Sequence, residues 1–123
     1  KLFNKNIEIW GSGNAKRDFL FVEDLANVVE KVLRVSKKKF FIKNFDYNHL
    51  NVGSSKEISI RDLAKLVCEV IGHNKKLVFN AKMPDGTMKK LLDTRKLNRV
   101  IKFKKTDLKK ALKLTYLDYL QKN

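Results

Sequence analysis

Trp10 closes the alternating run Ile7-Glu8-Ile9-Trp10 and stands directly before the turn residues Gly11-Ser12-Gly13-Asn14. That placement sets a large flat ring at the mouth of a loop. Arg17 follows on the far side of the same turn, a position suited to an oxyanion. Asp85 lies in Pro84-Asp85-Gly86-Thr87, just ahead of Lys89 and Lys90. An aromatic plane, a fork-shaped cation and a carboxylate with a nearby lysine are the groups that hold the base, phosphate and ribose of a nucleotide. Each also has a plainer reading: Trp10 as core, Arg17 as a surface cation, Asp85 as a turn former satisfying its own backbone.

Little else in the chain points to chemistry. There is no Ser–His–Asp set, and the two histidines, His49 and His73, are isolated and too few for a metal site. One is expected to be half-buried and the other to lie exposed at a helix end. Cys68 has no His or acid at nucleophile spacing and reads as a structural thiol. Gly11-Ser12-Gly13 is not a dinucleotide-binding fingerprint. Lys16 stands where the third glycine belongs, and an extended segment follows instead of a helix. These residues therefore suggest a binding half-site with no catalytic, metal or cofactor residues of its own.

The elements that must position them come from 123 residues, 43% hydrophobic and 33% charged, with one proline and five glycines. That suits one domain with one modest core. No apolar run approaches the roughly 18 residues of a membrane helix. A single cysteine excludes an internal disulfide framework and makes the cytoplasm the expected compartment. The start, Lys1-Leu2-Phe3, reads like a cut into a longer chain.

The net charge is +15, with 28 Lys+Arg against 13 Asp+Glu. A charge of that size raises nucleic acid as a partner. It is uneven: residues 1–62 carry +4 and residues 63–123 carry +11. Only five of the basic residues are Arg, the type that reads phosphates and base edges bidentately. A lysine excess of this kind is read as solvated surface, with a small basic nucleic-acid-binding module as the alternative from another class.

Beyond the strand at 7–10, a short apolar run covers 18–22, and helical spacing of Val22, Leu25, Ala26, Val29, Val32 and Leu33 predicts a helix over 23–36. A connection follows at 37–48, with Phe40, Phe41 and Phe45 expected beneath it as a satellite core. Residues 49–53 read as a buried strand. Ser59 caps a second helix, with Asp62 as its acidic partner, Ile60, Leu63, Ala64, Val67, Val70 and Ile71 as its stripe and Gly72 as its stop. Leu77-Val78-Phe79 reads as a strand, 83–87 as a tight turn, 94–100 as a short helical turn, and Thr106 as the cap of a final helix. The order indicates an α/β or α+β-like domain of about three helices with short strands.

Four segments taken together resemble extended short-chain dehydrogenase/reductases. Trp10-Gly11-Ser12-Gly13 followed by Arg17-Asp18-Phe19-Leu20-Phe21-Val22-Glu23-Asp24-Leu25-Ala26 is similar to their "WGSG…REFLHVDDLA" stretch. Leu50-Asn51-Val52-Gly53 with Ile58-Ser59-Ile60-Arg61-Asp62-Leu63-Ala64 is similar to "NVG…ITIRELA". Pro84-Asp85-Gly86-Thr87 with Lys89-Lys90-Leu91-Leu92-Asp93 is similar to "PDGTPRKLLD", which is more particular to the GDP-L-fucose synthase family; Leu114-Thr115-Tyr116 matches its closing helix. Phe21, Met88 and Lys89 depart from a His, a Pro and an Arg of these patterns, and residues 37–48 match none.

The resemblance implies the C-terminal substrate-binding domain, residues 1–123, of an NADP-dependent epimerase/reductase that acts on GDP-4-keto-6-deoxy-D-mannose. A sibling nucleotide-sugar epimerase or dehydratase is the alternative. It implies that Arg17 meets the diphosphate, that Trp10 and Asp85 face the nucleoside end, and that Lys90 adds positive charge. The family's NADP loop and catalytic residues lie upstream, in an N-terminal Rossmann half absent from this chain. By itself the chain is then expected to bind no cofactor, to be catalytically silent and to self-associate, while the parent is a homodimer.

Overall fold

Strand β1, Ile7–Trp10, pairs in parallel with β4, Leu77–Asn80, in a register running from Ile7↔Leu77 to Trp10↔Asn80. A second sheet holds β3 (Glu57–Ser59), β2 (Lys16–Asp18) and β5 (Lys89–Lys90) in the order β3-β2-β5. There β2 and β5 run parallel, with Lys16 opposite Lys89 and Arg17 opposite Lys90. The computed structural model describes residues 5–122, and the reading of Lys1-Leu2-Phe3 as a cut lies outside them. Contacts gather the chain into two compact units interleaved along the sequence. One comprises Lys1–Arg17, Glu57–Lys90 and Asp107–Asn123, the other Asp18–Lys56 and Leu91–Thr106.

In the first unit, α3 (Ile60–Ile71) packs on α5 (Leu108–Lys122). Ser59 caps α3: its Oγ accepts the Asp62 N–H at 3.0 Å and donates to Asp62 Oδ2 at 2.6 Å. A cap of this kind contributes about 1 kcal/mol. Gly72 ends the helix in the left-handed region at φ 72°, and the His73 N–H reaches back to the Cys68 carbonyl at 2.8 Å. His73 is buried at this helix end and His49 is exposed, so the histidine at the helix end is the buried one and not the exposed one expected there. Burial also pushes the Cys68 thiol up from its ordinary pKa, in keeping with a structural thiol.

The second unit is built on α1 (Val22–Leu33), the one-turn α2 (Lys37–Phe40) and α4 (Arg95–Val100). Val28, Leu97, Val100 and Ile101 form its core, flanked by half-buried Val32, Ile42, Leu50 and Phe103. Each such Val or Leu contributes roughly 1.5–3 kcal/mol. The core uses only part of the α1 stripe: Val22 and Leu33 stay 70% and 82% exposed.

Several expectations shift. The helix expected over 23–36 runs Val22–Leu33, and the strand before it is Lys16–Asp18, which shares only Asp18 with the apolar run at 18–22. Residues 49–53 form no strand. The Asn51 amide donates to the Asp93 carbonyl at 3.2 Å, and next to the segment the N–H and Oγ of Ser54 donate to the Asp18 carboxylate. The tight turn falls at Asn80–Met83, closed by Met83 N–H to Asn80 O at 3.1 Å, and leaves 84–87 as an open loop. Asp107, not Thr106, caps α5 by accepting the Lys110 N–H at 3.2 Å. Thr106 instead gives its N–H and hydroxyl to the buried Asp24 carboxylate at 2.7 and 2.8 Å. A carboxylate 5% exposed requires such donors.

Phe40 and Phe45 are half-buried but Phe41 is 54% exposed, so no satellite core forms as expected. The aromatics gather around buried Lys96. Its ammonium donates to the Tyr47 carbonyl and sits 5.0 and 5.1 Å from the Phe40 and Tyr47 rings. The architecture is α/β, with three long helices, short strands and the short helix at Arg95–Val100 as expected and the one-turn α2 added.

Candidate functional site

All four candidate residues lie in the first unit, on its strand ends and loops. β1 delivers Trp10 to the edge of the loop, where the residue is 64% exposed. An indole so exposed is not a core residue, and its face is available to a planar ligand.

Asp85 comes to the same loop from the other direction. Its Oδ1 accepts the Ser12 N–H at 2.7 Å across 73 positions. The carboxylate therefore satisfies another loop's backbone, not its own, which the turn reading missed. The approach requires glycine beside it. Gly11 has φ 80°, and a Cβ there would collide with Asp85 Oδ1 and lie 3.0 Å from its Cα. Asp85 Oδ2 makes no hydrogen bond among the described residues and remains an acceptor.

Arg17 is half-buried, and its Nη1 donates to the Thr87 carbonyl at 2.6 Å and to the Lys16 carbonyl at 2.7 Å. These two bonds fix the plane of the guanidinium and leave Nε and Nη2 as donors. The Asp85–Thr87 loop is thus pinned at both ends, to Ser12 and to Arg17.

Electrostatics distinguish the two lysines of β5. Lys89 Nζ lies 3.3 Å from Glu57 Oε1, within ion-pair range though not aligned as a hydrogen bond. Arg17 and Lys90 face each other in register, and neither has a carboxylate within 4.0 Å among the described residues. Two like charges side by side in a sheet destabilise it. An anion bridging them removes that repulsion and gains charge-assisted hydrogen bonds.

The arrangement can bind and orient; it contains no proton-transfer pair. Among the described residues no group of three or more His, Cys, Asp or Glu could hold a metal. The dinucleotide cofactor that the family resemblance implies does not fit the Gly11-Ser12-Gly13 turn. The turn leads into strand β2, with no helix N-terminus to receive a pyrophosphate.

The second unit carries a different concavity of about 320 Å³, lined by Asn44, Phe45, Asp46, Tyr47, Arg95 and Arg99. Arg99 lies 5.3 Å over the Phe45 ring, and Phe45 meets Tyr47 edge-on at 5.6 Å. Arg95 is already held by Asp93 through Nε and Nη2, at 2.9 and 2.7 Å.

Residues 2–53 match the model of the NAD dependent epimerase/dehydratase family. The chain is 36% identical to GDP-L-fucose synthase 1 of Arabidopsis thaliana, over 95% of its own length and 34% of that protein. It is 33% identical to the GDP-L-fucose synthase of Escherichia coli (strain K12), over 94% of this chain and 36% of the relative. Its fold superposes on a GDP-6-OMe-4-keto-L-xylo-heptose reductase from C. jejuni with a TM-score of 0.85 and 33% identity, covering 97% of this chain and 35% of that one. The chain thus spans about a third of the length of the relatives it matches.

Proposed function

We propose that this chain, homologous along nearly its whole length to a third of a GDP-L-fucose synthase, is the substrate-binding portion of a nucleotide-sugar epimerase/reductase. It forms the C-terminal part of the parent. There it grips the GDP of GDP-4-keto-6-deoxy-D-mannose while an N-terminal Rossmann half holds NADP and carries out the epimerisation and reduction. The parent is a homodimer acting in the cytoplasm; among the described residues no helix is long and apolar enough to cross a membrane. Alone, the chain is catalytically silent and contributes positioning only.

The observation that carries this reading is the Arg17–Lys90 pair, in register and with no carboxylate within 4.0 Å among the described residues, in one unit with the exposed Trp10 and the Asp85 oxygen left as an acceptor. Arg17 and Lys90 hold the diphosphate, the indole stacks on the base, and Asp85 Oδ2 accepts from the nucleoside. The likeness to a heptose reductase supports a second reading, a sibling enzyme of the same class with a different sugar.

Titration of the chain with GDP, UDP and a random duplex oligonucleotide, followed by Trp10 emission, tests the nucleotide site that both readings share and the nucleic-acid alternative. Saturable GDP binding, weakly dependent on salt and reduced about 10–100-fold by Arg17→Ala, is expected. Preference for the duplex with a steep salt slope overturns the proposal.

A further inference from the structure

Arg61 has no part in the binding site as described, yet it holds the opposite side of the residue that Asp85 holds. Its Nη2 donates to the Ser12 carbonyl at 2.6 Å, and its backbone N–H donates to the Gly13 carbonyl at 2.9 Å. Its guanidinium lies 4.0 Å over the Phe79 ring. Phe79 stands on β4 in register with Ile9, one residue before Trp10. Gly13, at φ 76°, passes so close that a Cβ would lie 2.6 Å from Phe79 Cε1 and 3.2 Å from Arg61 Cβ.

The Ser12 residue is therefore held from both sides. Its N–H points to the Asp85 carboxylate and its C=O to the Arg61 guanidinium. A cation on the carbonyl and an anion on the amide fix the orientation of the turn that follows Trp10 and receives the Asp85 carboxylate. Arg61 has no carboxylate within 4.0 Å among the described residues, so its charge is committed to the Ser12 carbonyl and the Phe79 ring.

We infer that Arg61 is a positioning residue for the nucleotide-sugar site, setting the Trp10 ring and the Asp85 carboxylate through Ser12; its effect on ligand rests on the function proposed above. A lysine cannot replace it, because an ammonium cannot stack flat on Phe79 while directing an in-plane donor at Ser12.

The test compares wild type, Arg61→Ala, Arg61→Lys, Asp85→Asn and the Arg61→Ala/Asp85→Asn double variant. Amide hydrogen exchange at Ser12 and Asn14 is read beside that of Val67 and Glu69 in α3, with GDP affinity measured in parallel. In Arg61→Ala, exchange at Ser12 is expected to rise at least tenfold with the α3 amides unchanged, and GDP affinity to fall about tenfold. Arg61→Lys gives no rescue, and it keeps the aliphatic stem against Phe79 should the alanine variant fold poorly. In the double variant the two losses of affinity are expected to be less than additive. Wild-type exchange at Ser12 in both Arg61 variants, or an equal rise throughout α3, overturns the positioning role. A wild-type chain that ignores GDP overturns the proposed function instead, and the exchange measurement still decides the role of Arg61.

Discussion

Asp85 and Ser12, 73 positions apart, are joined by a 2.7 Å hydrogen bond that closes the open loop at 84–87 onto the turn after β1. The acceptor is one carboxylate oxygen, so a structural and a ligand-facing role are divided between the two oxygens of one side chain. Asp85→Asn retains an acceptor for the Ser12 amide and is expected to lose less than about 1 kcal/mol of stability, whereas Asp85→Ala strands that half-buried amide and loses about 1–3 kcal/mol. Urea denaturation of the two variants checks the order; equal midpoints would remove the bond's structural role.

Gly13 and Gly72 adopt nearly the same left-handed conformation, at φ 76° and 72°, in different surroundings. A Cβ on Gly72 meets nothing within 4 Å, while one on Gly13 meets Phe79 and Arg61. Gly72→Ala is expected to show conformational strain alone, roughly 1–2 kcal/mol. Gly13→Ala adds overpacking of roughly 1–3 kcal/mol and, unlike Gly72→Ala, weakens nucleotide binding. Paired melts and titrations separate the two effects.

Asp93 carries a pH signature. The Arg95 side chain, hydrogen-bonded to it, lowers its carboxyl from 3.8 to about 2, with the Arg95 backbone N–H adding to the effect. Because the folded pKa is depressed, the stabilisation is present above the ordinary carboxylate range and is lost as pH falls through about 2. The melting temperatures of wild type and Asp93→Asn are expected to differ at neutral pH and to converge on acidification below about pH 4. High salt should shrink the difference, since the pair is exposed.

The outward positions of α1 predict self-association. Val22, Val29 and Leu33 are 70%, 51% and 82% exposed along one helix. Sedimentation velocity is expected to show concentration-dependent species heavier than 14.4 kDa, suppressed in a Val29→Ser/Leu33→Ser variant. A monomer at all concentrations would count against it.

Periodicity made the long elements readable. The stripe of α3, the Ser59 cap, the Gly72 stop and strands β1 and β4 stand where local pattern puts them, whereas α1 forms as a helix but turns Asp24 and Val28 inward instead of most of its apolar stripe. The four candidate site residues lie in one unit. What local pattern could not show was partnership over distance. Glu57–Ser59 and Lys89–Lys90 are too short to show an alternation and exist as strands because Lys16–Asp18 lies between them. Thr106 looked like a cap until buried Asp24 claimed its donors. Arg61 carried no signal of its role, since its partners Ser12 and Phe79 lie 49 positions before it and 18 after.

The interleaving of the two units has a consequence in time. β1 finds its partner β4 only after the chain closes on residues 70 positions apart, as Asn6 and Lys76 do at the end of that pairing. Helices such as α3 and α5 form in about a microsecond, while parallel pairing at long range takes milliseconds to seconds. In refolding, the helical signal should therefore appear first. Trp10, the chain's single tryptophan, takes up its final environment at the end of β1 only when that slow closure is made.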